Sequence, residues 1–329
     1  MRMTKPAYYD EFRCLAGACP DSCCQEWDVL VDDAAAERYL ALKGPLGDRL
    51  RQVLKPEDGR YTMEIQNGRC PMWREDGLCR IQAELGQDGL CGVCREFPRL
   101  RHDYGDFVEL GLELSCPEAA RLILRSQSAP AIQWEIPGGE APEYDEEAMA
   151  ILLRTRKTAL SLLENRPVRE ALTLLLLYAY RAQDELDGGE EAAFSPAAEL
   201  EFARQLGVAG DPAALIGFYA GLDVLTPRWR ARLEAPMGGE WPGELLAMAR
   251  CCVERDWLQA VSDYDLISRI KLTVAGCILA GLLGGDPVET AQLYSKEIDN
   301  SIDNVEAILD GAYSHPALTD ANLLGLLAG

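Results

Sequence analysis

The chain has 329 residues, 48% hydrophobic and 26% charged, with a formal net charge of −22. That allows one large domain or two ordinary ones at roughly 150 residues each, in a globular rather than fibrous or disordered composition. The acid excess excludes a basic face for nucleic-acid phosphates and a polybasic membrane anchor.

In chain order, residues 32–42 and 46–54 carry helical patterns, and residues 61–65 alternate weakly as a short strand. Glycines at 59, 68, 77, 86, 89 and 92 break the rest of this stretch into turns. Residues 116–125 read as a further helix. Residues 126–144, SQSAPAIQWEIPGGEAPEY, have the proline and glycine content of a linker or surface loop.

The remainder reads as helix after helix. Residues 145–165 and 167–186 space their apolar side chains at three and four. Ser195-Pro196, Asp211-Pro212, Thr226-Pro227 and Asp286-Pro287 each pair a capping side chain with a proline suited to the first helical position. Residues 264–283 form the most apolar helix, whose apolar run of about a dozen residues falls short of the ~20 that span a bilayer. A central core helix is expected there, and no transmembrane segment. Residues 301–313 and 318–327 close the bundle.

The expected fold is therefore mainly α. A loop-rich, cysteine-bearing N-terminal region (1–125) packs, through residues 126–144, on a helical bundle (145–329). Charge divides along the same line: residues 1–125 have 17 basic against 22 acidic side chains, and residues 126–329 have 15 against 32.

Nine of the twelve cysteines lie in the first 116 residues. The N-terminus, MRMTKPAYYDEFRC, lacks the apolar run of a secretory signal, which points to the reducing cytoplasm. Clustered cysteines there imply metal or redox chemistry rather than disulfides. The candidate ligands are Cys14, Cys19, Cys23 and Cys24, then Cys70, Cys79, Cys91 and Cys94, then Cys116. Two residues between Cys91 and Cys94 let both thiolates face one metal from a tight turn. Proline after Cys70 and Cys116 is a feature of cluster-binding sequences. Adjacent Cys23 and Cys24 diverge too far to serve one mononuclear metal easily, so one of them is either buried or part of a second site. Four thiolates suit tetrahedral zinc or an iron–sulfur cluster, and residue chemistry alone leaves both open. Cys251, Cys252 and Cys277 sit in helical patterns and read as core side chains.

Three segments, FRCLAGACPDSCCQEWDV, RCPMWREDGLCRIQAELGQDGLCGVCREFPR and LELSCPEAARLIL, carry these cysteines in order. Together they resemble the flagellin lysine-N-methylase family. The front half is also similar to the wider group of zinc- or iron-chelating cysteine-cluster domains. The likeness continues at DYDLISRIKL and AQLYSKEIDNSIDNVEAIL, with residues 126–250 the least distinctive. The resemblance implies S-adenosylmethionine-dependent methylation of lysines on flagellin, and a 4Fe–4S cluster with zinc as the alternative. Neither the strand–G-x-G-x-x-G–helix unit nor the C-x3-C-x2-C pattern of radical S-adenosylmethionine enzymes is present.

Attack by a lysine nitrogen needs a base or a desolvating pocket, since an unperturbed ammonium has a pKa of about 10.4. Candidates near the cysteines are Glu26, Trp27, Arg95, Glu96, Arg99, His102, Asp103 and Tyr104. Trp27 or Tyr104 could hold a sulfonium by cation–π attraction, and His102 could act as ligand or base. The acidic helical half suits a lysine-rich partner surface. Two other functions share the cysteine pattern: a non-enzymatic iron- or zinc-binding module that docks a partner, and a structural zinc domain on an adaptor.

Overall fold

The computed structural model describes residues 1–57, 59–126, 131–139, 141–191 and 193–328. The front part runs β1 (Arg2–Pro6), β2 (Val29–Val31), α1 (Asp33–Ala41), α2 (Pro45–Val53), β3 (Leu54–Glu57) and β4 (Arg60–Met63). It continues α3 (Arg80–Leu85), α4 (Gly92–Glu96), β5 (Arg99–Asp103), β6 (Phe107–Leu112), α5 (Pro117–Arg125) and β7 (Ala131–Glu135). Then come α6 (Glu146–Leu162), α7 (Val168–Leu186), α8 (Pro196–Gln205), α9 (Pro212–Ala220) and α10 (Pro227–Glu234). The last five are α11 (Glu244–Asp256), α12 (Leu266–Leu283), α13 (Pro287–Glu297), α14 (Ile302–Ser314) and α15 (Asp320–Ala328).

The mainly α expectation holds, but the front half has more strand than its sequence suggests. A four-stranded sheet has the order β5-β6-β1-β7, with β1 parallel to β6 and antiparallel to β7. A second, antiparallel sheet has the order β2-β4-β3. Only β4 coincides with an expected strand. The others are short, and β1 finds both partners over a hundred residues away, which no local pattern announces. Strand β7 lies inside the stretch read as linker or loop. Residues 131–135 of that stretch are instead laid along β1, and 127–130 and 140 lie outside the described residues.

The bundle follows its capping signals closely. Asp211 accepts from Ala214 N, Thr226 from Trp229 N and Asp286 from Glu289 N, each satisfying one orphan N–H of a first turn. Ser195 is the exception, since its side chain makes no capping bond. Helix α12 is mostly apolar, with its polar side chains confined to the first half, and lies at the centre, against α7, α11 and α14. It is long and apolar enough to cross a membrane, yet 89% of it is buried within the fold. One glycine on it sets the position of its neighbour: a Cβ at Gly276 would come within 2.5 Å of the Tyr294 hydroxyl on α13. Helix α13 can therefore lie directly against α12.

Two apolar cores result. The larger joins the bundle to the four-stranded sheet through Tyr8, Phe12 and Phe107, and it contains Cys251, Cys252 and Cys277 as expected for core side chains. The smaller gathers Val31, Tyr39, Leu50, Met63 and Met72 between α1, α2 and the three-stranded sheet. Most of the front cysteines belong to this second core.

The caps give a direct check. Asp211→Ala and Asp286→Ala should each lower unfolding stability by about 1 kcal/mol, whereas Ser195→Ala should leave it unchanged within ~0.5 kcal/mol. Urea titration followed by far-UV circular dichroism measures both.

Candidate functional site

The nine candidate ligands fall into two neighbourhoods. Cys70 and Cys91 are buried in the smaller core, and Cys24, Cys79 and Cys94 pack against it. Backbone bonds place them: Cys70 N donates to Cys24 O at 2.8 Å, and Trp73 N donates to Cys70 O at 2.9 Å. Trp73 then forms a bridge with Cys79. The Cys91–Cys94 turn is the start of α4 and is anchored by Asp32. One carboxylate oxygen of Asp32 caps α1 through Ala35 N (2.9 Å), and the other accepts from Gly92 N (2.7 Å). These two bonds, that from Gly92 foremost, hold the Asp32 carboxyl below its ordinary range.

Cys14, Cys19, Cys23 and Cys116 form the other neighbourhood. Cys116, buried at the head of α5, belongs to the larger core. Cys14 and Cys19 lie on the loop before β2, close enough to Cys116 to disfavour its ionisation. Cys23 and Cys24 are where the two neighbourhoods meet. All twelve cysteines are free thiols, as expected. Among the described residues, no three His, Cys, Asp or Glu side chains already stand at metal-ligand distances.

The thiols are electrostatically unequal. Cys24 and Cys91 are held down to about 7 by the neighbouring thiols Cys23 and Cys94, which are themselves pushed up by the same pairing and then by burial. Each pair thus releases its first proton readily and its second reluctantly. Burial pushes Cys70 up to about 12 and Cys116 up to about 11, and raises Cys19 and Cys79 as well.

The loop between the neighbourhoods is fixed from the bundle. Lys296 on α13, only 2% exposed, meets Asp21 Oδ1 and Glu26 Oε2 at 2.6 Å each. Its ammonium also stands 5.2 Å from the centre of the Trp27 ring, whose Nε1 donates to Cys23 O at 2.9 Å. Gln292, one turn earlier, donates both to Asp21 Oδ2 (2.9 Å) and to Ser115 O (2.8 Å). That amide joins the Cys19–Cys24 loop to the residue before Cys116. Lys296 and Gln292 were missed from the sequence, because a lysine and a glutamine on an amphipathic helix read as its solvated face. Trp27 thus already meets one cation, the Lys296 ammonium.

The remaining candidates scatter. Arg95 and Glu96 pair with each other on the surface. Arg99 lies over the Phe12 ring at 5.1 Å. His102, Asp103 and Tyr104 lie away from the thiols, at a cleft of about 710 Å³ also lined by Tyr144 and Gln259. Asp103 is tied to Arg101 (2.6 Å) and Gly105 N (3.0 Å), and Tyr104 stacks on Phe107 at 4.6 Å. His102 Nδ1 lies 3.1 Å from the Gln259 side-chain amide. Burial lowers the His102 pKa and favours the neutral form.

No family model matches the chain, and no solved structure matches it. Among curated proteins it is similar to the flagellar biosynthetic protein FliU of Salmonella muenchen, 35% identical over 137 residues. That stretch is 40% of this chain and 81% of the relative. It is also similar to the lysine-N-methylases of Salmonella typhimurium (strain LT2) and Salmonella choleraesuis, at 35% identity over 137 residues. Here the match spans 34% of each relative's length, about a third.

Replacing Lys296 with Met would leave two carboxylates without their common cation inside the seam. A loss of about 3–5 kcal/mol is expected, read by denaturant unfolding, with a shift in tryptophan emission as Trp27 loses its cation.

Proposed function

The chain belongs to the flagellin lysine-N-methylase family, and from that premise we propose that it is a protein lysine N-methyltransferase acting in the cytoplasm. Its methyl donor is S-adenosylmethionine, and its substrate is flagellin or a related surface protein. The observation that carries this reading is the 35% identity sustained over 81% of the flagellar relative, together with a lysine-N-methylase name on two others.

The donor chemistry of the front core fits a metal group. Five thiols, Cys24, Cys70, Cys79, Cys91 and Cys94, share one small core, and two of them are poised to ionise near neutral pH. Soft thiolates with no histidine among them suit a 4Fe–4S cluster, or zinc as the alternative. Three or four of these five would hold the group, three leaving one iron of a cluster open, with Cys14, Cys19, Cys23 and Cys116 as the second candidate set. A bound cluster supplies an electron-accepting iron centre to which a donor's polar end can bind. The chain's own residues do the rest: Asp32 fixes the Cys91–Cys94 turn, and Lys296 and Gln292 fix the Cys19–Cys24 loop. A lysine-bearing partner also meets a helical half that is strongly acidic, which speeds encounter.

Anaerobic purification followed by iron, sulfide and zinc quantification tests the metal. Iron and sulfide in equal amounts with a brown absorbance are expected, whereas zinc alone would overturn the cluster. Incubation with methyl-labelled S-adenosylmethionine and flagellin should place label on lysine. The Cys91→Ser/Cys94→Ser double variant should lose both metal and transfer. Full transfer by that variant would refute cluster dependence, and no transfer by metal-replete wild type would favour a metal-binding module without this activity.

A further inference from the structure

His102 lines a second, inner cavity as well as the large cleft. This cavity, of about 180 Å³, lies between the four-stranded sheet and helices α6 and α11. It holds several water volumes of ~30 Å³ each, but it is well below the ~300 Å³ at which drug-sized pockets begin. Only a slender chain fits. Leu100, Leu110, Leu112 and Leu160 give it apolar walls suited to methylenes.

Five of its lining side chains are acidic or basic in the charged range, and four already have partners. Arg156 makes a double hydrogen bond to Glu109 (2.7 and 2.6 Å), and Lys5 bonds Asp10 at 2.7 Å. Arg255 is held by Asp256 (2.8 Å) and Asp299 (2.7 Å). The fifth is Glu254. Among the described residues its half-buried carboxyl has neither an ion pair nor a hydrogen bond, although Arg250, Arg156 and Glu109 all lie within range of its charge. Arg250 is itself paired with Glu164 at 3.1 Å. A second polar group is also unanswered: His102 Nε2 is sealed from solvent and has no partner among the described residues. A pocket with apolar walls and an unpaired carboxyl at its edge is built for a primary ammonium on an alkyl stem.

We propose that this cavity is the binding pocket for the acceptor lysine, with Glu254 as the counter-charge of its ammonium. The proposal rests on the methyltransferase reading and names the part of the protein that receives the substrate. The pocket also answers the proton problem of that reaction. In water the ammonium keeps its proton, but between the leucine walls, with the Lys5, Arg156 and Arg255 cations also lining the cavity, the ammonium is disfavoured relative to the neutral amine. The proton passes from the lysine nitrogen to the Glu254 carboxylate oxygen, so that amine and carboxylic acid are both neutral. The nitrogen lone pair is then free. His102 separates this pocket from the larger cleft, whose ~710 Å³ lies in the size range of cofactor sites.

The test uses the full chain and n-butylammonium chloride as a lysine side-chain probe, titrated by ligand-observed NMR. Saturable binding is expected, weakened at least about tenfold in Glu254→Gln, the loss of one charge-assisted contact. Leu160→Phe, which fills the pocket without touching the carboxyl, should weaken it similarly. Glu306→Gln, an equal change of charge on the exposed face of α14 outside the cavity, should not. Thermal melting confirms that each variant is folded. Equal binding of n-butanol, or binding indifferent to both Glu254→Gln and Leu160→Phe, overturns the proposal. With flagellin as substrate, Glu254→Gln should cut kcat/KM at least about tenfold while leaving S-adenosylmethionine affinity unchanged; an unchanged kcat/KM refutes the pocket's role. If wild type transfers no methyl group yet binds n-butylammonium through Glu254, the methyltransferase reading fails and the amine pocket stands.

Discussion

At the end of α13, one ammonium holds the two halves of this protein in register. Lys296 has left water almost completely, a step that costs several kcal/mol unless the charge is answered. Its answer is not on its own helix. Asp21 and Glu26 come from the loop that carries Cys19, Cys23 and Cys24, and the face of Trp27 completes the enclosure. The dependence runs both ways. The loop has no strand or helix of its own between Cys19 and β2, so the contacts from Lys296 and Gln292, together with the backbone bonds from Cys70 N to Cys24 O and from Glu26 N to Gly68 O, give its thiols a fixed place. The position of α13 depends in turn on Gly276, which lets it approach α12 closely.

The two cores differ in how far they can stand alone. The bundle core surrounds a largely apolar helix and draws in one face of the four-stranded sheet. The smaller core rests on two short helices and a three-stranded sheet, and Cys70 and Cys91 are among its buried side chains. Small cores bury too little apolar surface to offset the entropy of ordering their chain. A core so built gains from any bond between its thiols and a third body, because ligation energy becomes folding energy. The thiols gathered there are reduced and partly poised to ionise, which keeps them available for such a bond.

The sequence was legible where the physics is local. Caps before proline, three- and four-residue apolar spacing, and the core reading of residues 264–283 depend on neighbours a few positions away, and the helices stand nearly where those signals place them. The four-stranded sheet was not legible, because β1 pairs with β6 and β7 across most of the front half. The candidate site shows the same division. The cysteines announced themselves by type and spacing, and their sorting into two neighbourhoods did not. His102 looked like a companion of Cys94, eight residues earlier. In the fold, β5 carries it away from the thiols to the wall between two cavities.

Separation of the thiols from the His102 cavities is itself a consequence of how β5 is used. Helix α4 ends on the smaller core, and β5, only a few residues later, is the edge strand of the sheet that joins the larger one. Leu100 and His102 on that strand face the bundle, where α6 and α11 bring Arg156 and Glu254 against the sheet. Arg156 is answered across this junction by Glu109 on β6, so the ion pair fastens sheet to bundle. Among the described residues Glu254, in the last turn of α11, has no such answer, while the other charges lining this cavity are paired. A carboxyl left unpaired at the edge of a cavity with leucine walls is free to take its partner from a ligand, and that is the physical basis for placing an ammonium there.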